Sequence, residues 1–281
     1  MAKKLVKYCL VDTFAETAFK GNPSSVCVVE EEKDPEWLRN VAREFNQAVT
    51  SYLTQSTTGF QLRWFTRDGD EISICGHATL AAAYYILLRL LPTGDAVQLS
   101  TLSGIIIARK VPELSIPPSF SIELDFPVLP LEDFIPPDLS QIEKMLNTDS
   151  ITEIKKTSRE NYLLVVVASG EAVRGVDADI GAVRKYPVRG LIVTGKAPFE
   201  SEYDIYYRFF CPNLGADEDH VCGSAHCALA PYWSQRLGKN DFVSYTASTR
   251  GGVIHVHLDE KNERVLIRGR AVAVMEGSIL V

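Results

Sequence analysis

Cys75-Gly76-His77-Ala78 returns 147 positions later as Cys222-Gly223-Ser224-Ala225. Two further matches flank it. Leu62-Arg63-Trp64-Phe65-Thr66 resembles Tyr207-Arg208-Phe209-Phe210-Cys211 at an offset of 145, and Ser103-Gly104-Ile105-Ile106 resembles Gly251-Gly252-Val253-Ile254 at an offset of 148. Three matches in one order at nearly one spacing read as two copies of one unit. Each copy predicts a strand carrying Arg-aromatic-Phe, a loop, a Cys-Gly helix start, a strand, a glycine turn and a strand.

Working outward, residues 8–11 and 25–29 read as strands, with Gly21-Asn22-Pro23 as a turn between them. Asp34-Pro35-Glu36 reads as a helix start, an acidic cap followed by proline at the first helical position. That helix runs to about Phe45. Residues 61–66, 97–111 (two strands), 190–194, 205–210, 253–258 and 264–268 read as strands, and 271–274 and 279–281 as two short ones. Residues 163–167 form a continuous apolar run, a buried strand or a short buried helix. A proline-rich stretch (Pro112, Pro117, Pro118, Pro127, Pro130, Pro136, Pro137) marks the crossing between two halves, the second taking residues 113–269.

Composition sets the class. The 281 residues are 46% hydrophobic and 23% charged, ordinary globular values that exclude whole-chain disorder or coiled coil. With 29 basic and 36 acidic residues the net charge is −7. An acidic chain without long basic runs is a poor phosphate-backbone binder, so no nucleic acid is expected. The apolar stretch 78–91 is too short to span a bilayer and nothing resembles a secretory signal, so no membrane partner and a cytoplasmic protein are expected. Six cysteines spread through such a chain are expected as reduced thiols.

The repeat suggests chemistry. Residues 77–91 predict a helix apolar nearly all round, hence buried. Its first-turn N–H groups lack intrahelical partners, and the helix dipole there favours negative charge. A ligand carboxylate satisfies both, and Gly76 and Gly223 let it approach the backbone. A second helix is predicted from Ser224, kinked at Pro231. Packed with pseudo-twofold symmetry, the two helix starts would face one cleft, with Cys75 and Cys222 on opposite sides. A thiol at a helix N-terminus is expected to have a lowered pKa. A thiolate and a thiol across a bound α-carbon make a two-base pair, which is racemase or epimerase chemistry with no cofactor. Small buried cysteines are the plainer reading of either one alone.

The densest polar run is Asp217-Glu218-Asp219-His220-Val221-Cys222-Gly223-Ser224-Ala225-His226-Cys227. A zinc reading of His220, Cys222, His226 and Cys227 matches none of the usual ligand spacings, so no metal is expected. Asp219 is either an orienting or proton-shuttling carboxylate or part of a solvated acidic loop. His77 at a helix start suits a neutral imidazole that hydrogen-bonds a ligand, or a satisfied core histidine. Phosphate-binding glycine motifs, GxSxG and HExxH are absent from the sequence.

Val11-Asp12-Thr13-Phe14, Phe19-Lys20-Gly21-Asn22-Pro23, Ala42-Arg43-Glu44-Phe45-Asn46, Arg63-Trp64-Phe65-Thr66, Cys75-Gly76-His77-Ala78-Thr79 and the 218–226 run stand in the order of the phenazine-biosynthesis PhzF-like isomerase family. Pro231-Tyr232-Trp233 and the stretch from Arg268-Gly269-Arg270 to Glu276-Gly277 also resemble it, so the likeness covers essentially the whole chain. It implies the α+β diaminopimelate epimerase-like fold: two similar domains, each a β-barrel-like sheet around a central helix, with residues 270–281 returning to a first domain of residues 1–112. It also implies a homodimer and a small carboxylate substrate. By resemblance His77, Asp219 and Ser224 take active-site positions, and Asn22, Gly76 and Gly223 line the substrate site. Two departures stand out. The family typically reads Asn-x-Ser-Glu-Thr with the glutamate as acid/base; here Asn46-Gln47-Ala48-Val49-Thr50-Ser51 puts Val49 in its place, and valine moves no proton. Family members usually carry threonine where Cys222 stands. Cys75 and Cys222 instead resemble the paired thiols of diaminopimelate epimerase and proline racemase. An isomerase is therefore expected, with a silent binding or redox-responsive protein on the same scaffold as the alternative.

Overall fold

The computed structural model of the chain describes residues 5–57, 59–112 and 120–280. In chain order its first part holds β1 (Leu5–Thr13), β2 (Asn22–Val29), α1 (Pro35–Phe45), β3 (Val49–Ser56), β4 (Gly59–Thr66), β5 (Glu71–Ile72), α2 (Gly76–Tyr85), β6 (Ala96–Thr101), β7 (Gly104–Pro112) and β8 (Phe120–Pro127). There follow β9 (Leu131–Asp133), α3 (Leu139–Leu146), β10 (Ile151–Thr157), β11 (Tyr162–Val167), α4 (Gly170–Gly175), α5 (Ile180–Lys185), β12 (Gly190–Lys196), β13 (Ile205–Cys211) and β14 (Ala216–Asp219). The chain closes with α6 (His226–Leu237), β15 (Asp241–Thr246), β16 (Gly252–Asp259), β17 (Arg264–Gly269) and β18 (Ala271–Leu280). Among the described residues no helix is long and apolar enough to cross a membrane.

The chain divides into two compact units, Met1–Asp125 with Arg268–Val281, and Phe126–Ile267. The first crossing thus lies within β8, beyond the Pro112 boundary expected from the prolines; Pro117 and Pro118 lie outside the described residues. The last strand is continuous, where sequence suggested two pieces. Its full length pairs antiparallel with β1, from Leu5 opposite Leu280 to Thr13 opposite Ala271, with one irregularity at Leu10/Val11. The ladder's hydrogen bonds hold β18 straight through Glu276-Gly277, where hydrophobic alternation alone is weak.

The strand order repeats. In the first unit β1–β2 is antiparallel, β2–β3 parallel and β3–β4 antiparallel; β4 then pairs antiparallel with β5 and parallel with β6, and β6–β7 is antiparallel. In the second unit β10–β11, β11–β12, β12–β13, β13–β14, β13–β15 and β15–β16 follow the same series of directions. Each parallel step needs a crossover: α1 supplies it for β2–β3 and α2 for β4–β6 in the first unit, and α4 with α5 for β11–β12 and α6 for β13–β15 in the second.

Helix α2 is the centre of the first unit and packs against β1, β2, β3, β4 and β18. Four alanines, at positions 78, 81, 82 and 83, give it high helix propensity and let the strands come close. All ten of its residues but Tyr84 are buried. It continues as a π-helical turn, Ile86–Leu90, so helix covers nearly all of 77–91 as expected. Leu80, Ile86 and Leu87 are fully buried, worth roughly 1.5–3 kcal/mol each. Helix α1 has the expected start: the Asp34 carboxylate accepts from Glu36 N–H at 2.7 Å with Pro35 at the first position.

In the second unit the apolar run at 163–167 is strand β11. Together with β12 it is covered by α3, α4 and α5 through Val173, Val183 and Met145. Burial on both faces explains why its sequence shows no alternation. Helix α6 begins at His226, two residues after the expected Ser224, because residues 223–228 first make i to i−3 bonds: His226 N–H to Gly223 O and Cys227 N–H to Ser224 O, both 3.1 Å. Pro231 removes the donor that would bond the Cys227 carbonyl, and Leu129 N–H takes its place at 2.8 Å.

Candidate active site

In the first unit Cys75 is the N-cap of α2, with extended backbone (φ −154°, ψ 114°) and half-buried. Its Sγ lies 3.4 Å from Nδ1 of His77, two residues on and buried in the first helical turn. Its carbonyl accepts two bonds from Thr79, one from Oγ1 at 2.5 Å and one from N–H at 3.1 Å. Two residues upstream, the carbonyl of Ser73 accepts from Ser103 Oγ at 2.7 Å, a hydroxyl on the β6–β7 turn. Gly76 opens the helix itself.

The second unit repeats the arrangement with other residues. Cys222 Sγ lies 3.4 Å from Oγ of Ser224, again two residues on. The Cys222 carbonyl accepts from Tyr207 OH at 3.1 Å and faces Nδ1 of His226, four residues on, at 3.2 Å. The same Nδ1 is 3.2 Å from the Gly223 carbonyl. Two residues upstream, the His220 carbonyl accepts from Ser248 Oγ at 2.7 Å. Ser248 follows β15, as Ser103 follows β6. Asp219 ends β14, and its Oδ1 accepts from Val221 N–H at 3.3 Å.

Electrostatics correct one expectation. Cys222 was expected to have a lowered pKa at a helix start. Its thiol is instead pushed well above the usual range, first by burial and then by the Asp219 charge, with the Ser224 bond opposing. Three residues separate it from the first residue of α6, so the helix dipole does not offset desolvation. Cys211 is raised in the same way, by burial and by Asp219. His226 is fully buried and its pKa falls to about 4, so it is neutral near pH 7. Because carbonyls only accept, its proton is on Nδ1. Nε2 makes no hydrogen bond among the described residues, and the ring stands edge-on to Tyr207 at 4.8 Å.

Apart from Asn22, the predicted residues fall into two groups. Cys75, Gly76 and His77 come together at the start of α2, and Cys222, Gly223 and Ser224 in the loop between β14 and α6, with Asp219 at the end of β14. Asn22 stands at the head of β2, fully buried, with its carbonyl accepting from Thr13 Oγ1 at 2.9 Å. The loop before it is held by Asp12, whose Oδ2 accepts from Phe19 N–H at 2.6 Å, and Phe14 and Phe19 both adopt positive φ. Val49, in the place of the family glutamate, opens β3 and is buried; Ser24 Oγ donates to its carbonyl at 2.9 Å. All six cysteines are free. Among the described residues no three His, Cys, Asp or Glu side chains are grouped to hold a metal ion. Sequence reasoning missed Thr79, Ser103, Tyr207 and Ser248 and weighed His226 only as a metal ligand. The signal that finds Thr79 and His226 is the i+4 spacing from each cysteine of the repeat.

The family model described as phenazine biosynthesis-like protein matches residues 11–277. An uncharacterized isomerase of Halalkalibacterium halodurans is 36% identical over 273 residues, covering 96% of this chain and 97% of that one. The crystal structure of a PhzF-family phenazine biosynthesis protein from Enterococcus faecalis superposes with a TM-score of 0.88 at 33% identity, over 99% of this chain and 100% of that one. A hydroxyproline epimerase of Agrobacterium vitis shares the fold alone, with a TM-score of 0.58 at 12% identity over 99% of this chain and 93% of that one. The α+β diaminopimelate epimerase-like architecture implied by the family resemblance is therefore the fold of this chain. With a match that runs nearly end to end in sequence and in structure, the chain belongs to the phenazine biosynthesis-like PhzC/PhzF family.

Proposed function

We propose that this protein is an isomerase that moves a proton at carbon on a small carboxylated metabolite, with Cys75 and Cys222 as its base and acid and with no bound cofactor required. The observation that carries the reading is the matched pair of thiols, each at 3.4 Å from a polar side chain two residues on. The isomerase and epimerase names among the relatives agree with it.

The two thiols differ in a way that suits opposite roles. Burial and Asp219 keep Cys222 protonated, which makes it the acid. Cys75 is the more exposed of the two, caps α2 and has His77 beside it. A neutral His77 with its proton on Nδ1 donates to the Cys75 thiolate and stabilises it without placing an imidazolium against the helix dipole. The thiolate takes the α-proton, the electron pair moves onto the substrate carboxylate as an enolate, and the Cys222 S–H returns a proton to carbon. Cys75 ends as thiol and Cys222 as thiolate. Gly76, Gly223 and Ser224, with the amides around them, are the groups offered to the carboxylate, and Asn22 to the rest of the substrate.

Deuterium wash-in from D₂O into a panel of small carboxylic acids tests the reading. Wild type should exchange the α-position, and Cys75→Ser should lose it by about a hundredfold or more. Equal exchange by both removes the thiol from the reaction.

A second reading is favoured by Val49, a buried hydrocarbon where the family acid/base stands. It is a carboxylate-binding protein without turnover. Under that reading wild type exchanges nothing while still binding an acid from the panel.

A further inference from the structure

His226 is a fully buried imidazole for which the reaction above has no use, and Thr79 is its counterpart in the other unit. Each stands four residues after a cysteine of the repeat, and each aims a side-chain donor at that cysteine's carbonyl: Thr79 Oγ1 at 2.5 Å from Cys75 O, His226 Nδ1 at 3.2 Å from Cys222 O. Different side chains perform the same act in the two copies. The donors on the carbonyls two residues upstream, Ser103 to Ser73 and Ser248 to His220, are also conserved in place, at 2.7 Å each. Each cysteine is therefore held on both flanks by side chains that touch neither sulfur.

We propose that Thr79 and His226 are positioning residues: each pins the peptide plane between its cysteine and the following glycine, and so fixes where the thiol and the glycine N–H point. The proposal rests on the reading of Cys75 and Cys222 as the proton-moving groups. In a trans peptide the N–H points away from the C=O. A carbonyl clamped toward Thr79 or His226 turns the N–H of Gly76 or Gly223 to the opposite side. It also fixes the backbone from which Cβ and Sγ project, and a misplacement of about 1 Å in a reacting group costs on the order of a hundredfold in rate. The histidine is built for the task. Burial holds it neutral, with Nδ1–H shared between the Cys222 and Gly223 carbonyls, and Tyr207 braces the same carbonyl from the side.

The test uses the full chain labelled with [3-¹³C]cysteine, in wild type, Thr79→Val, Thr79→Ser, His226→Leu and His226→Asn. Valine matches threonine in shape and lacks the donor; serine keeps it. Asparagine keeps an N–H near the Nδ1 position; leucine does not. The expected result is that Thr79→Val shifts the Cys75 Cβ resonance and its pH titration midpoint and leaves Cys222 alone. His226→Leu does the reverse, and Thr79→Ser and His226→Asn restore wild-type signals. In the same samples α-deuterium wash-in should fall about a hundredfold with each donor lost and recover with each donor restored. Cys75 and Cys222 signals that stay put in Thr79→Val and His226→Leu overturn the proposal. If His226→Leu does not fold, the Thr79 pair decides alone. A wild type that exchanges nothing ends the isomerase reading, while the resonances still judge the clamp.

Discussion

Glu218 receives two hydrogen bonds from Arg208, 2.6 Å from Nε and 2.9 Å from Nη2. Arg63 and Glu71 repeat the fork in the other unit at 2.7 and 2.8 Å. In both, the arginine stands two residues before a phenylalanine on the repeat strand and the glutamate faces that phenylalanine across an antiparallel pair. The guanidinium lies over the same ring, 4.7 Å from Phe210 and 5.3 Å from Phe65. This is why Arg-aromatic-Phe recurs in the sequence: the arginine ties each repeat strand to the short strand that leads into the cysteine loop.

With side chains only 13% and 18% exposed, removing one partner leaves a half-buried charge. Arg208→Ala should cost about 1–3 kcal/mol, and Arg208→Lys about 1 kcal/mol because the fork is lost while the charge remains. Urea midpoints measure both. Glu218→Gln combined with Arg208→Ala should cost less than the sum of the two; strict additivity would mean that the pair is not coupled.

Gly21 has φ +65°, and a Cβ there would meet the Thr13 carbonyl oxygen at 2.0 Å. Gly238 has nearly the same φ, +67°, with nothing within 4 Å. The two separate backbone strain from collision. Gly238→Ala should cost about 1 kcal/mol, the left-handed penalty alone. Gly21→Ala must also push β1 from β2 at the head of the Asn22 strand, and should lower the melting temperature by about 5 °C or more. Equal melting temperatures for the two variants would contradict the collision.

The buried His226 makes stability depend on pH. Its pKa falls from 6.5 to about 4 on folding. The unfolded chain therefore binds a proton between those values that the folded chain refuses. Its contribution is present in full above about pH 6.5 and is lost as pH falls toward 4, by about 3 kcal/mol in all. His226→Asn, which does not titrate, should flatten the melting temperature between pH 7 and pH 4.5 relative to wild type. Parallel curves would show that the imidazole is not held neutral.

The repeat was legible wherever a side chain is tied to a fixed contact. Arg63 and Arg208 grip glutamates, and each cysteine-glycine pair leads into a helix, Cys75-Gly76 directly and Cys222-Gly223 through a short turn, so these positions kept their identities. The matching of β1, β2 and β3 to β10, β11 and β12 was not legible, because buried strand positions accept any apolar residue of about the right size. Thr79 and His226 were hidden for another reason. A hydroxyl and an imidazole N–H serve one carbonyl equally well, so the contact survived while the residue type changed. The pKa of Cys222 was misread because a Cys-Gly pair says where a helix nears its start, and nothing about how dry the sulfur is.

Val49 offers the sharpest test of which group moves the proton. It is buried at the head of β3, with its backbone fixed by Ser24 and by the pairing of Val49 with Thr66. A glutamate there enters a buried position, and burial raises a carboxyl pKa. The raised group binds a proton in the folded chain that the unfolded chain has already released. Stability is therefore lost as pH rises above about 4.3 toward the folded value. Val49→Glu should melt close to wild type at pH 5 and clearly below it at pH 8. A carboxyl with a raised pKa is also a competent general acid or base near neutrality. If the thiols carry the reaction, Val49→Glu should leave Cys75-dependent wash-in within about threefold of wild type at pH 5, where the fold is least disturbed. Exchange that appears only in Val49→Glu, and persists when Cys75→Ser is added, would instead assign the reaction to the carboxyl position and leave the native chain as the binding protein of the second reading.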